Sequence, residues 1–401
     1  MPIDPMAAEQ PERSSASRVP LWRLPAFRAI VFQVLLVLGI LAFGYYLLNN
    51  TLQNMEQRGI TTGFGFLSNE AGFGILQSLI PYDETYSYGR TFVVGLLNTL
   101  LVAGLGILFA TFLGFFIGIA RLSPNWLVAR LATAYIEVFR NIPLLLQIMF
   151  WYFAVLRPLP LPRQSLSVGD SVFLNNRGLF VPKPVAEDGF WLVGLAFAVA
   201  VLAVIGIARW ARRRQNATGE QFPTASVGLA LLVGLPLLVF WLSGSPLHWD
   251  YPTLGGFNFS GGLEVIPELA ALTLALSIYT AAFIAEAVRS GIMAVSHGQT
   301  EAAYALGLRP RVTLKLVIIP QAMRVIIPQL TSQYLNLTKN SSLATAIGYP
   351  DLVNVFAGTT LNQTGQAVEV IAMTMAVYLS ISLAISMFMN WYNKRNQLIE
   401  R

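Results

Sequence analysis

The chain has 401 residues, of which 55% are hydrophobic and only 11% are charged, and its mean hydropathy is +0.59. Soluble domains carry about 25% charged residues, so this composition excludes a soluble globular protein. The sequence has no cysteine, which excludes disulfides, thiolate metal sites and cysteine nucleophiles. The net charge of +6 and the pI near 9.6 are typical of a membrane protein that keeps its positive residues on the cytoplasmic side, and we favour this interpretation over nucleic-acid binding.

The N-terminal residues 1–28 are polar and rich in Pro and Ser, and we interpret them as a cytoplasmic tail. The apolar run from Ala29 to Leu48 is too long for a signal-peptide core and no cleavage site follows it, so it is predicted to be a retained first span. About 20 apolar residues cross a bilayer core of about 30 Å. On this basis we predict an all-α polytopic membrane protein with about eight spans, at residues 29–49, 91–120, 135–156, 189–207, 226–243, 266–289, 321–340 and 366–391.

The distribution of positive charge predicts the orientation of these spans. With the N-terminus inside, the cytoplasmic segments hold 18 of the 26 Lys and Arg residues and the external loops hold six. Arg140 and Lys339 lie within proposed spans. Because the external loops contain more residues in total, the positive-inside rule selects this orientation, with both termini cytoplasmic.

The span 91–120 is longer than a bilayer requires, so we expect it to tilt or to extend beyond the membrane. Gly114 and Gly118 lie four residues apart within it, a small-xxx-small pattern that lets a second helix approach closely. Because this pattern also arises by chance in apolar helices, both a packing role and no role stay open.

Few acidic residues lie in or near the spans, chiefly Glu137 and Glu286. Arg289 follows Glu286 by three residues, a spacing that suits an ion pair on one helix near its cytoplasmic end. We favour this structural interpretation over an intramembrane proton relay, which is the alternative use of such a residue.

A short helix is predicted in the cytoplasmic loop 295–320, between the sixth and seventh spans. Thr300, or a residue just before it, is expected to cap the helix, with Glu301 favourable in the first turn. Gly307 is expected to end the helix in a left-handed conformation, and Pro310 to prevent it from resuming. The good helix formers between these ends are Ala302, Ala303, Ala305 and Leu306.

The span 321–340 is too polar to face lipid. One helical face carries Gln329, Gln333, Asn336 and Asn340, and Arg324 and Lys339 add charge. Polar groups inside a membrane usually face the helix bundle or a wet cavity. Either interhelical hydrogen bonding or the lining of a solute path explains the pattern, and both place this face inward.

The sequence lacks the chemistry of an enzyme. It has no phosphate-binding loop and no Gly-Lys dipeptide to anchor one, so it does not hydrolyse ATP by that route. His248 and His297 are far apart and form no metal-binding pattern, and no catalytic constellation is present. We therefore predict no catalytic residue, no metal and no cofactor.

The loop has the spacing of a known family motif. Glu301-Ala302-Ala303, three residues, Gly307, nine residues and then Val317-Ile318-Ile319-Pro320 resembles the EAA loop of ABC-importer permeases, with conservative changes at Val317 and Ile319. The segments 140–147, 286–292 and 337–343 resemble those of the polar amino-acid (histidine/glutamine-type) permeases. Asn141 and Ile142 replace the usual Gly and Thr, as in the general L-amino-acid uptake systems of proteobacteria.

This resemblance implies a type I importer core of five helices plus three extra helices, in a bacterial inner membrane. The implied segments are a tail (1–28), an extra span with an external loop (29–90), a first core segment (91–156), an insertion with two spans (157–263), a second core segment (264–391) and a C-terminus (392–401). External loops of the insertion carry Trp249 and Tyr251. We expect simple loop structure there, with contact to the binding protein as the alternative.

The resemblance also implies partners and site residues. A pair of separate ABC ATPase subunits would receive the coupling helix, for which the implied residues are Glu301, Ala302, Ala303, Gly307 and Arg309. A second homologous permease, most simply a different one, would complete the path, and a periplasmic binding protein would deliver an L-amino acid. The candidate path residues are Gln333, Asn336, Lys339, Asn340 and Arg140. Arg140 either serves the substrate carboxylate or, as we favour, snorkels to the interface. An ion-coupled secondary carrier and a structural scaffold are the alternatives.

Overall fold

The computed structural model describes residues 25–57 and 62–395, so most of the predicted N-terminal tail and the last six residues lie outside the described residues. The chain divides into two units, residues 1–63 and 64–401. Within the first unit the structure describes a single helix, α1 (Pro25–Gln57), whose apolar side chains are exposed along its length. This helix contains the predicted first span.

The second unit is mostly helical. Its α-helices are α2 (Tyr88–Arg121), α3 (Trp126–Asn141), α4 (Leu144–Met149), α5 (Phe190–Thr218), α6 (Thr224–Leu242), α7 (Pro267–Met293), α8 (His297–Ala305), α9 (Pro310–Thr313), α10 (Ile319–Asn340), α11 (Leu361–Thr364) and α12 (Ala367–Arg395). Short 3-10 turns cover Gly65–Ser68, Pro162–Gln164 and Ser341–Ile347, and π-helical turns cover Phe150–Leu156, Leu314–Ile318 and Val353–Thr360. Within the described residues seven helices are long and apolar enough to cross a membrane, or eight if a bent pair counts as one span.

The bent pair corrects the prediction of one continuous span over 135–156. Helix α3 ends at Asn141, and the segment Leu144–Leu156 leaves it at 104°. Pro143 explains the break, because it lacks an N–H and disfavours helical geometry in the residue before it. The Gln147 side chain is buried and its Nε2 donates to the carbonyls of Phe139 and Ile142, each at 3.0 Å, so the two carbonyls at the break are satisfied.

Helix α7 is the centre of the second unit and packs against α2, α3 and α10. Its Leu272, Leu276 and Ile284 are fully buried, as is Ile327 of α10. Helix α7 is apolar on nearly all sides because neighbouring helices cover most of its surface. Helix α7 is thus packed on several sides and ends a few residues before α8.

The pair Gly114 and Gly118 has the packing role that its spacing allowed. A Cβ at Gly114 would lie 2.6 Å from the Cβ of Ile284, and a Cβ at Gly118 would lie 2.8 Å from the carbonyl oxygen of Ala285. Only glycine leaves room for α2 and α7 to approach this closely, as small residues do at helix crossings in membranes.

Eight short strands lie in the predicted insertion and directly after it, where the sequence analysis expected simple loops. The strands are β1 (Leu166–Val168), β2 (Val172–Asn175), β3 (Gly178–Val181), β4 (Lys183–Ala186), β5 (Leu247–Asp250), β6 (Thr253–Gly255), β7 (Asn258–Ser260) and β8 (Leu263–Val265). They form one antiparallel sheet in the order β1-β2-β3-β8 and two strand pairs, β4-β5 and β6-β7. Phe259 stacks between Phe173 and Phe180, with ring centroids 4.5 and 5.0 Å apart, and gives the strands a small core.

Candidate functional site

The predicted short helix exists as α8, but its start differs from the prediction. It begins at His297 after Ser296, so Thr300 lies inside the helix and does not cap it. It ends as predicted at Gly307, where φ is +73°, and the Gly307 N–H donates to the Tyr304 carbonyl at 2.9 Å. Pro310 does not only stop α8: it is the first residue of α9, a position where its missing N–H has no cost.

Helix α8 presents most of its side chains to solvent. Ala303 is buried and anchors the helix, whereas Ala302 is exposed beside it. Tyr304 is 50% exposed and Leu306 is 81% exposed, which is a high exposure for apolar side chains. Two charged side chains flank them: the exposed Arg309, and Glu301, which faces Nδ1 of His297 at 3.1 Å. This mixture of apolar centre and charged rim is typical of a protein-docking surface.

The end of α7, immediately before α8, is held by an ion-pair cluster. Glu286 pairs with Arg289, whose Nη2 lies 2.6 Å from Oε1, which confirms the predicted pair on one helix. Glu286 also pairs with Arg121 at the end of α2, a partner that the sequence did not indicate. The three side chains are only about a fifth to a quarter exposed, so the cluster joins α2 to α7 at the base of the loop.

The other described helices of this chain leave much of the polar face of α10 uncovered, and its place in a helix bundle or a solute path stays a prediction. Asn336 and Lys339 are exposed, and Gln333 and Asn340 are half-buried. The opposite side of α10, with Ile327, is buried against the rest of the unit. The face is therefore open in the single chain and available to a partner.

Arg140 lies in the last turn of α3 and is exposed. Its guanidinium is 5.3 Å from the centroid of the Phe283 ring on α7, a cation–π contact. This contact joins Arg140 to α7 and gives no direct link to α10. Its role toward a substrate stays a prediction.

Helix α2 is joined to the segment between α10 and α12 by hydrogen bonds. The Asn98 side chain donates from Nδ2 to the carbonyls of Gln77 and Pro350, both at 2.8 Å. The Tyr349 hydroxyl donates to the Asn98 carbonyl at 3.1 Å, and the Leu352 N–H donates to Thr99 Oγ1 at 3.0 Å. These bonds fix a segment to which the sequence analysis assigned no role.

Asp351 in this segment is fully buried, and its carboxylate accepts from the Asn354 N–H at 2.9 Å and from the Tyr378 hydroxyl at 3.4 Å. Burial raises the pKa of the Asp351 carboxyl to about 7. Because this pKa lies above that of an unfolded aspartate, the native state holds a proton that the unfolded chain releases. The contribution of protonated Asp351 to the stability of the native state is complete below about pH 4 and is lost as the pH rises to about 7.

Replacing Asp351 with asparagine keeps the shape and the bond from the Asn354 N–H, which the amide oxygen accepts, and it removes the titration. The amide NH2 at the other position donates to the Tyr378 hydroxyl instead of accepting from it. We expect the Asp351→Asn protein to gain stability over the unmodified protein as the pH rises from 5 to 8, by about 3 kcal/mol. Thermal unfolding of the purified protein at several pH values measures this difference. Asp83→Asn, at an exposed carboxyl, is the control and should give no such gain. A constant difference across this pH range would contradict the assignment.

Long apolar helices and a polar helix face are features of a membrane transport subunit. The comparisons identify the class. Residues 222–397 match the family model for the binding-protein-dependent transport system inner membrane component. The chain is 60% identical to the putative amino-acid ABC transporter permease YhdX of Escherichia coli K12, over 94% of this chain and 96% of that protein.

Two further relatives cover nearly the whole chain. The general L-amino acid transport system permease AapQ of Rhizobium johnstonii is 55% identical over 94% of both chains. The glutamate/glutamine/aspartate/asparagine permease BztB of Rhodobacter capsulatus is 46% identical, over 94% of this chain and 95% of that protein. This chain belongs to the amino-acid ABC transporter permeases of the polar amino-acid family. It is a multi-pass permease subunit of an importer, and in this family the ATPase is a separate subunit and a binding protein is a partner.

Proposed function

We propose that this chain is one half of a permease pair that imports a broad range of L-amino acids. The observation that carries the proposal is the 55% identity to a general L-amino acid permease along 94% of both chains, a match that includes most of the insertion. The substrate range named for BztB is a narrower set within the same chemistry. All these substrates share an α-carboxylate and an α-ammonium, which need polar partners in a low-dielectric passage.

The coupling surface of the proposed function is α8 with its C-terminal turn. Glu301, Ala302 and Arg309 are exposed there, Ala303 anchors the helix, and Gly307 sets the direction of the turn. Exposed apolar side chains surrounded by polar ones are the usual anchors of a protein interface. The ion-pair cluster at Glu286 supports the transmission of a push on α8 into α7 and α2.

The open face of α10 supports pairing with a second permease. Gln333, Asn336, Lys339 and Asn340 would be costly against lipid, so a partner chain and a wet path between the two chains best account for them. We propose a heterodimer, with the second permease supplying the facing wall. Arg140 would lie at the rim of this path.

We further propose that both termini and α8 are cytoplasmic, since this orientation follows the positive-inside rule. The strands of the insertion would then lie on the periplasmic side, where a binding protein docks. Trp249 and Tyr251 are about half exposed there and are candidates for contact with it.

Because the chain has no cysteine, single cysteines can test the path directly. We expect Asn336→Cys to react with a membrane-impermeant thiol reagent, and we expect bound substrate or nucleotide to change the rate severalfold. Phe112→Cys is the matched control: Phe112 is 71% exposed in an apolar stretch of α2 and should stay unreactive. Equal reactivity at both positions would contradict the assignment of the α10 face to the path.

The function itself is tested by reconstitution of this chain with the second permease, the ATPase and the binding protein of the same bacterium. We expect uptake of labelled glutamate that requires ATP and all four proteins, and that is inhibited by unlabelled neutral and basic L-amino acids. Inhibition by only one chemical class would overturn the broad range. Uptake by this chain alone under an ion gradient without ATP would instead support an ion-coupled carrier.

A further inference from the structure

The hairpin α5–α6 carries its charges in one place. Residues 190–242 contain four arginines and one acidic residue, and all five lie between 209 and 220. The two helices pack chiefly on each other, and most of their other side chains are apolar and exposed. The hairpin therefore presents apolar surface along its length and a concentrated positive charge at its closed end.

Helix lengths place this charge at a membrane surface. Helix α5 has 29 residues and measures about 43 Å, whereas α6 has 19 residues and measures about 28 Å, close to the thickness of the bilayer core. Gly228 of α6 packs against Val204 of α5, so α6 begins beside residue 208 of its antiparallel neighbour. Residues 209–218 of α5 thus extend past the start of α6, beyond the apolar layer.

The loop after α5 folds back along this extension, and its Glu220 pairs with one of the four arginines. The Phe222 ring contacts the Trp210 ring edge-on, with centroids 5.3 Å apart. Arg214 pairs with Glu220 at 2.5 Å and lies over the Trp210 ring at 5.5 Å. Trp210 and Phe222 mark the level of the interface, where aromatic rings are favoured.

The other three arginines are on a different side of the helix. Arg209, Arg212 and Arg213 fall within an arc of about 100°, because successive residues turn by about 100°. All three are exposed, and among the residues that the structure describes none of them pairs with a carboxylate. The positive-inside rule would be satisfied by arginines in any arrangement on the cytoplasmic side. An unpaired group of three on one face, beside a fourth that is paired within the loop, provides a surface for an anion.

We propose that Arg209, Arg212 and Arg213 bind the headgroups of anionic phospholipids. The strands β4 and β5 pair at the open end of the hairpin, and β8 leads into α7, so the arginines and α8 emerge on the same side of the membrane. In the orientation proposed above this is the cytoplasmic leaflet, whose anionic lipids attract clusters of arginine and lysine next to a span. Because α5 and α6 pack chiefly on each other, this headgroup contact holds the hairpin in position from outside the fold.

The test measures lipid binding by the purified permease complex in phosphatidylcholine nanodiscs. One set of nanodiscs contains spin-labelled phosphatidylglycerol and the other contains spin-labelled phosphatidylcholine, and the binding of the two labelled lipids is compared. We expect the unmodified complex to prefer phosphatidylglycerol by about fivefold for each arginine at low salt. The triple variant Arg209→Gln/Arg212→Gln/Arg213→Gln should lose this preference, and the corresponding triple lysine variant should keep it. A single cysteine at Asn216, labelled with a membrane-impermeant reagent in sealed vesicles of every variant, verifies that the hairpin keeps its orientation.

Two single variants each remove one positive charge. They distinguish an effect of the unpaired arginine face from an effect of the overall charge of the hairpin. Arg213→Gln should lower the preference about fivefold, whereas Arg214→Gln, which removes an arginine already paired with Glu220, should change it little. Equal losses in the two variants would overturn the assignment, as would a preference that survives the triple glutamine change. If the triple variant keeps its lipid preference but no longer captures the ATPase, the face is a protein-binding surface and the proposal is wrong.

Discussion

Replacing Gly307 with valine should lower ATP-driven uptake at least about tenfold while the chain remains folded in the membrane. Gly307 ends α8 at φ +73°, a conformation that is strained for a β-branched residue by about 1–3 kcal/mol. No other atom lies within 4 Å of a Cβ placed there, so the cost comes from the backbone alone. The chain relieves this strain by moving the turn, and the exposed Leu306 beside it then points in a different direction.

Capture of the ATPase by tagged permease, measured together with uptake, checks this expectation, and we expect both to fall at least about tenfold. Gly298→Ala is the matched control in the same helix. Gly298 has no positive φ, its added Cβ would meet only Ser296 Oγ at 3.6 Å, and alanine favours a helix by about 1 kcal/mol. If Gly307→Val retains full capture while uptake is normal, α8 is not the coupling surface.

The helix in the loop 295–320 was predictable because its signals are local. Gly307 requires only its own φ, and the Glu286–Arg289 pair requires only a helical spacing of three residues. The predicted start of α8 near Thr300 was too late, because the helix begins at His297. Ser296 precedes it and makes no capping bond through its side chain, so no side-chain cap marks the start. Arg121, by contrast, reaches Glu286 from another helix, and no spacing along the chain indicates such a contact.

The spans were predicted well where an apolar run is continuous. The predicted 266–289 corresponds to Pro267–Met293, and the predicted 366–391 to Ala367–Arg395. The run 135–156 misled because apolar residues lie on both sides of the break, although the polar Arg140 and Asn141 stand directly before it. Pro143 was the available signal for the bend, but composition alone does not show that a span is broken.

The strands of the insertion could not be recognised from alternating apolar and polar residues, since segments of three or four residues are too short to show that alternation. Their main sheet also depends on a contact distant in sequence: β3 pairs with β8 across the whole α5–α6 hairpin, with Leu179 opposite Val265. Such pairing follows from tertiary structure and not from local propensity. The role of the α10 face stays a prediction, because a polar face in a membrane can be completed by another chain.

The second large effect concerns the crossing of α2 and α7. Replacing Gly114 with valine should destabilise the permease by about 3 kcal/mol or more, because its Cβ would lie 2.6 Å from the Cβ of Ile284 and 3.0 Å from the Ala281 carbonyl oxygen. The carbonyl belongs to a buried backbone and cannot rotate away, so the helices must separate. Thermal unfolding of the purified complex, with the yield of monodisperse protein, measures the loss.

The control is Gly104→Val in the same helix, where no atom lies within 4 Å of an added Cβ. Valine there should be neutral or slightly stabilising, since it also has the better helix propensity. Similar melting temperatures for the two variants would show that the helices adjust freely at this crossing. A large loss at Gly114 alone would mean that α7 is held rigidly against α2. Under the proposed function that rigidity would matter, because α7 carries α8 at its end and would have to transmit a displacement of α8 to the path without bending.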